Sequence, residues 1–293
     1  AVVADDHFME ISHIMRAEEW LPSTPRHLQL FDALGFDPPL FAHLPMILGP
    51  DRSKLSKRHG ATGVSEYRDK GFLPDALINF MVLLGWSLDD KTEVMSLDTI
   101  QENFTLDRVT KSAAIFDQEK LEWMSGVYIR EMSPQALAGN MIPFLERDLP
   151  KELVPVDRDY LETIAPLIQE RIKLMETAAN STSYFFVDQP EYDPSTLIQK
   201  GMDEQGTVDA LKSALATLSG ASSFSNESLE ESLRATGTEI GVSPRQFFGV
   251  IRTAVTGRTA TPPLFETMEV LGRERVLQRM EWAVEHLAGA NPV

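Results

Sequence analysis

The sequence predicts a mainly α-helical protein with a short α/β segment at its amino end. Up to residue 63, apolar runs and one amphipathic stretch follow the order strand, helix, strand and polar loop, which is typical of α/β proteins. From residue 64 onward, apolar residues recur at helical spacing between Pro, Ser or Asp starts and Gly ends. The 293 residues suffice for two or three domains, each with its own core.

The amino-terminal segment begins with one predicted strand and one predicted helix. Residues 1–4 (AVVA) are apolar throughout, so we predict the inner part of a buried strand there. Residues 22–34 predict a helix, because Pro25 suits a first turn and Gly35 suits the position after the last one. One face of this helix carries Leu28, Phe31 and Leu34.

A second apolar run, residues 41–49, predicts a strand that leads into the polar loop 50–63. Lys54 and Lys57 lie three residues apart in this loop, with Ser56 between them. Each lysine ammonium is a compact charge with three donors. Such a pair can bind a polyphosphate and stabilise the charge that develops on its oxygens during reaction. The spacing alone also allows a basic surface loop without any ligand.

The remainder of the chain is predicted to be helical. Residues 74–86 form an amphipathic helix that begins at Pro74 and ends near Gly85. Further helices are predicted at 96–104, 117–129, 133–149, 157–180, 194–200, 207–219, 226–240, 243–256 and 264–288. Residues 181–194 are aromatic and interrupted by proline, and we predict a packed connector there.

The composition excludes several classes of protein. The chain contains no cysteine, which excludes disulfides and thiolate zinc sites. No apolar run reaches the length of a membrane span, and the first residues lack the pattern of a signal peptide. We therefore expect a cytoplasmic monomer without a membrane partner. The net charge of −17 argues against nonspecific nucleic-acid binding but leaves a specific complex through a local basic patch open.

The loop sequence Lys54-Leu55-Ser56-Lys57-Arg58 resembles the Lys-Met-Ser-Lys-Ser signature of class I aminoacyl-tRNA synthetases, in the form typical of glutamyl enzymes. Four longer stretches are similar to bacterial glutamyl-tRNA synthetases in the order of that family, namely 11–36, 41–87, 112–129 and 255–279. The resemblance implies a remnant of a Rossmann-like catalytic domain at 1–63 and a helical stem-contact domain at 64–132. It also implies an all-helical anticodon-binding domain at 133–293, with two subdomains divided near residue 200.

The resemblance assigns the amino-terminal residues to ATP and glutamate. Lys57 matches the lysine that contacts ATP and Lys54 matches its partner, and both are expected to act in catalysis. Arg16 matches the arginine that binds the side-chain carboxylate of glutamate, which suits the two-pronged geometry of a guanidinium. The other ATP contacts that the resemblance implies are Leu55, Ser56, Glu19 and Trp20. We interpret Asp6 as a structural carboxylate and predict no metal site.

The carboxy-terminal helices are assigned to the anticodon. Arg171 matches the position whose arginine distinguishes glutamate from glutamine anticodons. Arg252 and Arg258 are expected to meet phosphates or base edges, since RNA loops are recognised by splaying their bases and contacting the base edges. The expected platform for a splayed base is formed by Thr261, Pro262 and Leu264.

The implied reaction is the ATP-dependent attachment of glutamate to its tRNA through glutamyl-adenylate, with Mg²⁺ accompanying ATP. The implied partners are glutamate tRNA, L-glutamate and ATP. The His-Ile-Gly-His signature of the family is absent from this sequence, so we expect a fragment that is inactive alone. Two alternatives remain open: a non-catalytic tRNA-binding protein derived from the synthetase, and a helical protein-interaction scaffold without an RNA partner.

Overall fold

The computed structural model of the protein describes residues 1–56, 58 and 63–288. It divides into two compact units, Ala1–Tyr128 and Ile129–Val293. Helices dominate both units and the few strands are short, so the predicted mainly α fold is confirmed. Every helix of the described part is too short or too polar to traverse a lipid bilayer.

The first unit opens with a helix, α1 (Val2–Phe8), where we predicted a strand. The strand prediction for residues 1–4 is therefore wrong. Four apolar residues are too few to distinguish the two periods, and Ala1 accepts a helical hydrogen bond from the amide of Asp5. The first strand, β1 (His13–Ala17), comes later and was not predicted.

A small parallel sheet follows in the first unit. A 3-10 turn (Glu18–Ser23) leads into α2 (Thr24–Ala33). The strand β2 (Leu40–Leu44) then pairs with β1 in parallel, which places Arg16 opposite His43. This strand–helix–strand order agrees with the predicted α/β pattern of the segment.

The predicted strand 41–49 is divided in the structure. After β2 the chain passes Pro45, which has no amide hydrogen to donate to a ladder, and a new strand, β3 (Ile47–Leu48), begins. It pairs in parallel with β4 (Ala114–Ile115), so Leu48 lies opposite Ile115.

Helices complete the first unit. They are α3 (Val64–Lys70), α4 (Pro74–Leu83), α5 (Leu97–Asn103), a 3-10 turn (Leu106–Arg108) and α6 (Gln118–Arg130). A cluster of Trp86, Met95 and Ile100 is buried between them. The buried Asn79 amide oxygen accepts from the Met95 amide at 2.8 Å and from the Tyr128 hydroxyl at 2.9 Å.

The second unit contains helices, 3-10 turns and loops, with no strand among its described residues. Its helices are α7 (Pro134–Asp148), α8 (Arg158–Ile168), α9 (Ala178–Phe186), α10 (Glu204–Gly220), α11 (Asn226–Glu239), α12 (Pro244–Thr256), α13 (Leu264–Leu271) and α14 (Arg273–Ala288). Helix α7 packs on α8, and α14 packs on both α10 and α12.

Two long predicted helices are broken in the second unit. The predicted helix 264–288 is broken at Gly272, which separates α13 from α14. Gly272 has a φ of +81°, a backbone conformation that favours glycine. The prediction at 157–180 is interrupted by the extended backbone of Leu174, and α9 then covers the first part of the predicted connector. The predicted helix 194–200 is only a 3-10 turn, Pro194–Leu197.

Candidate functional sites

The lysine loop is anchored by a tight turn after β3. The amide of Gly49 donates to the Ser53 carbonyl at 2.8 Å, and the amide of Arg52 donates to the Gly49 carbonyl at 2.9 Å. Arg52 has a φ of +62°, an uncommon conformation for a residue other than glycine. Lys54 then pairs with Leu48 in an isolated antiparallel bridge. The loop therefore leaves the sheet edge as a short hairpin.

The described part of the loop presents one predicted catalytic lysine to solvent. The Lys54 side chain is 58% exposed, and its Nζ forms an ion pair with Oε2 of Glu19. The neighbouring Trp20 is 49% exposed. The structure thus brings together Lys54 and Glu19, two residues that the sequence assigned to ATP.

The other described residues of the loop differ in their exposure to solvent. Leu55 and Ser56 are half-buried, and the Leu55 amide donates to the Ile47 carbonyl at 3.0 Å. Arg58 is exposed. Lys57, the other predicted catalytic lysine, lies outside the described residues.

Arg16 on β1 is half-buried and is held by three polar side chains. Its Nε donates to His43 Nε2 at 3.3 Å, its Nη1 donates to His27 Nδ1 at 3.3 Å, and its Nη2 donates to Thr24 Oγ1 at 2.8 Å. No ion pair found in the described residues involves Arg16. A half-buried guanidinium without a carboxylate partner is suited to an anionic ligand.

Four residues assigned to the anticodon lie around one small cavity in the second unit. The cavity has a volume of about 160 Å³, and its lining includes Arg171, Arg258, Thr261 and Pro262. The other lining residues are Ile168, Ser181, Tyr184 and Ala260. Sequence positions some ninety residues apart therefore meet at one place.

Positive charge gathers at this cavity: Arg171 and Arg258 line it, and Arg252, which is not one of its lining residues, is close enough for the charge of Arg171 to act on it. The Arg258 guanidinium lies 5.5 Å from the centre of the Tyr184 ring and donates to Ser183 Oγ at 3.1 Å. Burial, and then the charge of Arg171, lower the pKa of Arg252, whose Nε is buried without a partner. No carboxylate pairs with these three arginines in the described part.

The predicted platform residues are mostly buried. Thr261 is 4% exposed and its hydroxyl donates to the Pro262 carbonyl at 3.0 Å, while Leu264 is 3% exposed at the start of α13. Thr261 and Pro262 line the cavity, but Leu264 does not. A role for Leu264 in contacting a base remains a prediction, and its packing supports the shape of the cavity.

Two important residues were not singled out from the sequence. Tyr184 forms part of the cavity wall, and burial raises its pKa to about 12 against the opposing effect of Arg258. Arg279 on α14 is fully buried and donates to four backbone carbonyls: Tyr184 at 2.7 Å, Val187 at 2.5 Å, Asp188 at 2.9 Å and Val255 at 2.6 Å. A cation beside the apolar series Val276, Met280, Ala283 and Leu287 is the sequence signal that could have identified it.

Within the described residues, no group of three or more histidine, aspartate or glutamate side chains is arranged to hold a metal ion. Asp6 is half-buried on α1 with one carboxylate oxygen buried and unpartnered, and its interpretation as a structural carboxylate remains a prediction.

Family comparisons agree with this division of sites. Residues 1–123 match the catalytic domain of class I tRNA synthetases (E and Q), and residues 136–284 match an anticodon binding domain. A glutamate–tRNA ligase of Dehalococcoides mccartyi (strain ATCC BAA-2266 / KCTC 15142 / 195) is 51% identical over 291 residues, which cover 98% of this chain and 60% of that protein. One from Roseiflexus castenholzii is 45% identical, over 99% of this chain and 58% of its own length.

Solved structures give the same result. A crystal structure of a glutamate tRNA ligase from Elizabethkingia meningosepticum, in complex with its amino acid, superposes with a TM-score of 0.82 at 31% identity. The superposition covers 98% of this chain and 59% of the Elizabethkingia chain. The chain thus spans about 60% of the length of the relatives it matches. The chain therefore belongs to the class I tRNA synthetases (E and Q), with part of their catalytic domain followed by an anticodon binding domain.

Proposed function

We propose that the chain is part of a glutamate–tRNA ligase that binds glutamate tRNA through its second unit. The observation that carries the proposal is the cluster of Arg171, Arg252 and Arg258, which no described carboxylate neutralises. The protein as a whole carries a net charge of −17. A local cationic cavity in an acidic protein is suited to a specific polyanion.

At the other end of the chain, Lys54, Glu19 and Trp20 would contact ATP, together with Leu55, Ser56 and Lys57. The exposed Lys54 ammonium would stabilise the charge that develops on the α-phosphate as glutamate attacks it. Mg²⁺ would arrive with the phosphates of ATP. The products of this step are glutamyl-adenylate and pyrophosphate.

Transfer to the tRNA would complete the reaction. The terminal adenosine of the tRNA would displace AMP from the adenylate, so the chain needs no side-chain nucleophile. We propose the division at 1–63, 64–132 and 133–293, with a split near 200, for the catalytic, stem-contact and anticodon-binding parts. We also propose that the enzyme acts as a cytoplasmic monomer.

Binding of tRNA tests the proposal with the 293-residue chain itself. Labelled glutamate tRNA should bind in a fluorescence anisotropy titration, and the affinity should fall as salt rises because phosphates are contacted. Arg252→Ala and Arg258→Ala should each weaken binding about tenfold, as expected for one good contact to a base or phosphate.

The matched control is Arg234→Ala, since Arg234 lies in the same unit but is paired with Glu230 on an exposed helix face. It should leave the affinity unchanged. Equal affinities for glutamate tRNA and an unrelated tRNA, or equal effects of all three substitutions, would contradict a specific anticodon site.

An aminoacylation assay distinguishes a ligase from a non-catalytic tRNA-binding protein. The product of the complete reading frame that encodes this chain should attach radiolabelled glutamate to tRNA in the presence of ATP and Mg²⁺, and the 293-residue chain alone should not. If the complete product binds glutamate tRNA but forms neither adenylate nor aminoacyl-tRNA, the binding protein is the correct reading.

A further inference from the structure

The Arg16 guanidinium has five N–H groups, and the structure accounts for three of them. One N–H belongs to Nε and two belong to each of Nη1 and Nη2. The three hydrogen bonds to His43, His27 and Thr24 use one N–H from each nitrogen. One N–H on each terminal nitrogen is therefore left for a ligand.

The two histidines are acceptors in this arrangement. Arginine has no lone pair to offer, so His43 Nε2 and His27 Nδ1 accept the hydrogen bonds where they meet Arg16. Thr24 Oγ1 also lies 3.1 Å from His43 Nε2, and it can donate either to that nitrogen or to the Trp20 carbonyl at 3.2 Å. Acceptors from two different elements, α2 and β2, thus fix the guanidinium.

Aromatic rings further restrict the guanidinium. Its central carbon lies 5.3 Å from the centre of the Phe41 ring and 5.8 Å from that of Trp20. The Phe41 and His43 rings are nearly parallel, with an interplanar angle of 6°. Rotation of Arg16 would break contacts with β2 and with the turn before α2 at the same time.

Resting on the proposed function, we infer that His43, His27 and Thr24 are positioning residues that set the specificity of Arg16 for a carboxylate. The two remaining N–H groups match the two oxygens of the glutamate side chain. A glutamine side chain offers one oxygen and one NH₂, so one N–H of Arg16 would face another donor. The three residues would act by holding Arg16 so that its two remaining N–H donors, and no acceptor, face the ligand.

Paired substitutions test this inference, because each position has one variant that keeps an acceptor and one that removes it. His43→Gln and His27→Asn place an amide oxygen near the imidazole nitrogen that accepts, and Thr24→Ser keeps the hydroxyl. His43→Leu, His27→Leu and Thr24→Val remove the acceptor. The enzyme is the product of the complete reading frame, assayed with glutamate varied at saturating ATP and tRNA.

We expect His43→Leu to raise the KM for glutamate about tenfold, the size of one lost hydrogen bond to a charged group, with kcat within about twofold. The preference for glutamate over glutamine, as a ratio of kcat/KM, should fall as well. His43→Gln should recover most of both losses. Smaller effects of the same sign are expected at His27 and Thr24.

The outcomes separate this inference from the proposed function. If the unsubstituted enzyme does not use glutamate, the proposed function fails and the inference falls with it. If that enzyme is active but the leucine and valine variants keep its KM and its preference for glutamate, only the positioning role is refuted. If His43→Gln and His43→Leu lose kcat equally and melt at the same lowered temperature, His43 is merely structural and the inference is also refuted.

Discussion

Replacement of Arg279 by methionine should destabilise the second unit severely. Arg279 is the largest fully buried side chain of the described residues, and it donates to the carbonyls of four residues outside its own helix. Burial is the main reason that its pKa falls to about 10, with the charge of Arg275 adding to the effect. Methionine fills a similar volume but leaves all four carbonyls without a donor.

The size of the loss follows from the number of bonds. At a net contribution of about 1 kcal/mol per hydrogen bond, four lost donors correspond to about 4 kcal/mol. This is a large part of the roughly 5–15 kcal/mol that stabilises a typical domain. Arg275 on the same helix makes only two such contacts, to the Tyr160 hydroxyl at 3.2 Å and the Phe185 carbonyl at 2.7 Å. Arg275→Met should therefore cost about 2 kcal/mol.

Urea unfolding measures the loss of unfolding free energy in both variants. Trp282 is the one tryptophan between residues 129 and 293, so its fluorescence reports on the second unit once the other three tryptophans are replaced by phenylalanine. With an m-value of about 2 kcal/mol/M, the midpoint should fall by about 2 M for Arg279→Met and about 1 M for Arg275→Met. A loss below about 1 kcal/mol for Arg279→Met, or one no larger than for Arg275→Met, would refute the reasoning.

Three further predictions concern Tyr184, Gly257 and Glu19. The raised pKa of Tyr184 means that its contribution to stability is complete below about pH 10 and is lost as pH rises toward about 12. Tyr184→Phe should remove the corresponding late step from the tyrosinate absorbance titration. Gly257→Ala should destabilise by about 1–2 kcal/mol, because its φ is +70° and a Cβ would meet a proline carbon at 3.1 Å, whereas Gly220→Ala, with open space around it, should not. Glu19→Gln should change the unfolding free energy by less than about 1 kcal/mol, since its ion pair with Lys54 is exposed. A change in the KM of the complete enzyme for ATP would therefore report on the proposed ATP contacts of Glu19 and Lys54 and not on a loss of folding.

The elements that the sequence located well are those with local signals at their ends. Ser133 accepts from the Ala136 amide at 3.2 Å and Ser243 accepts from the Gln246 amide at 3.4 Å, so α7 and α12 begin one residue after the predicted start. Cap residues act within one turn of the helix, and a sequence window contains all of their partners. The break at Gly272 has a local cause too, but glycine also occurs inside helices, as Gly206 does in α10.

The sites were only partly predictable for a related reason. Roles for Arg16, Arg171 and Arg258 could be proposed from the resemblance. The side chains and carbonyls that contact such arginines could not be predicted. His43 lies 27 residues from Arg16, and the carbonyls around Arg279 lie 24 to 95 residues away. These contacts depend on the packing of whole helices, which periodicity alone does not determine.

The parallel pairing of β3 with β4 sets an order on the folding of the nascent chain. The turn at residues 49–53 closes on itself and can form as soon as it is synthesised, whereas Leu48 meets Ile115 and the Phe116 amide only after more than sixty further residues have been added. On the ribosome, the hairpin that carries Lys54 would therefore be without its neighbouring strand until residue 116 has emerged. Synonymous codons that slow translation before that point would prolong this unpaired interval.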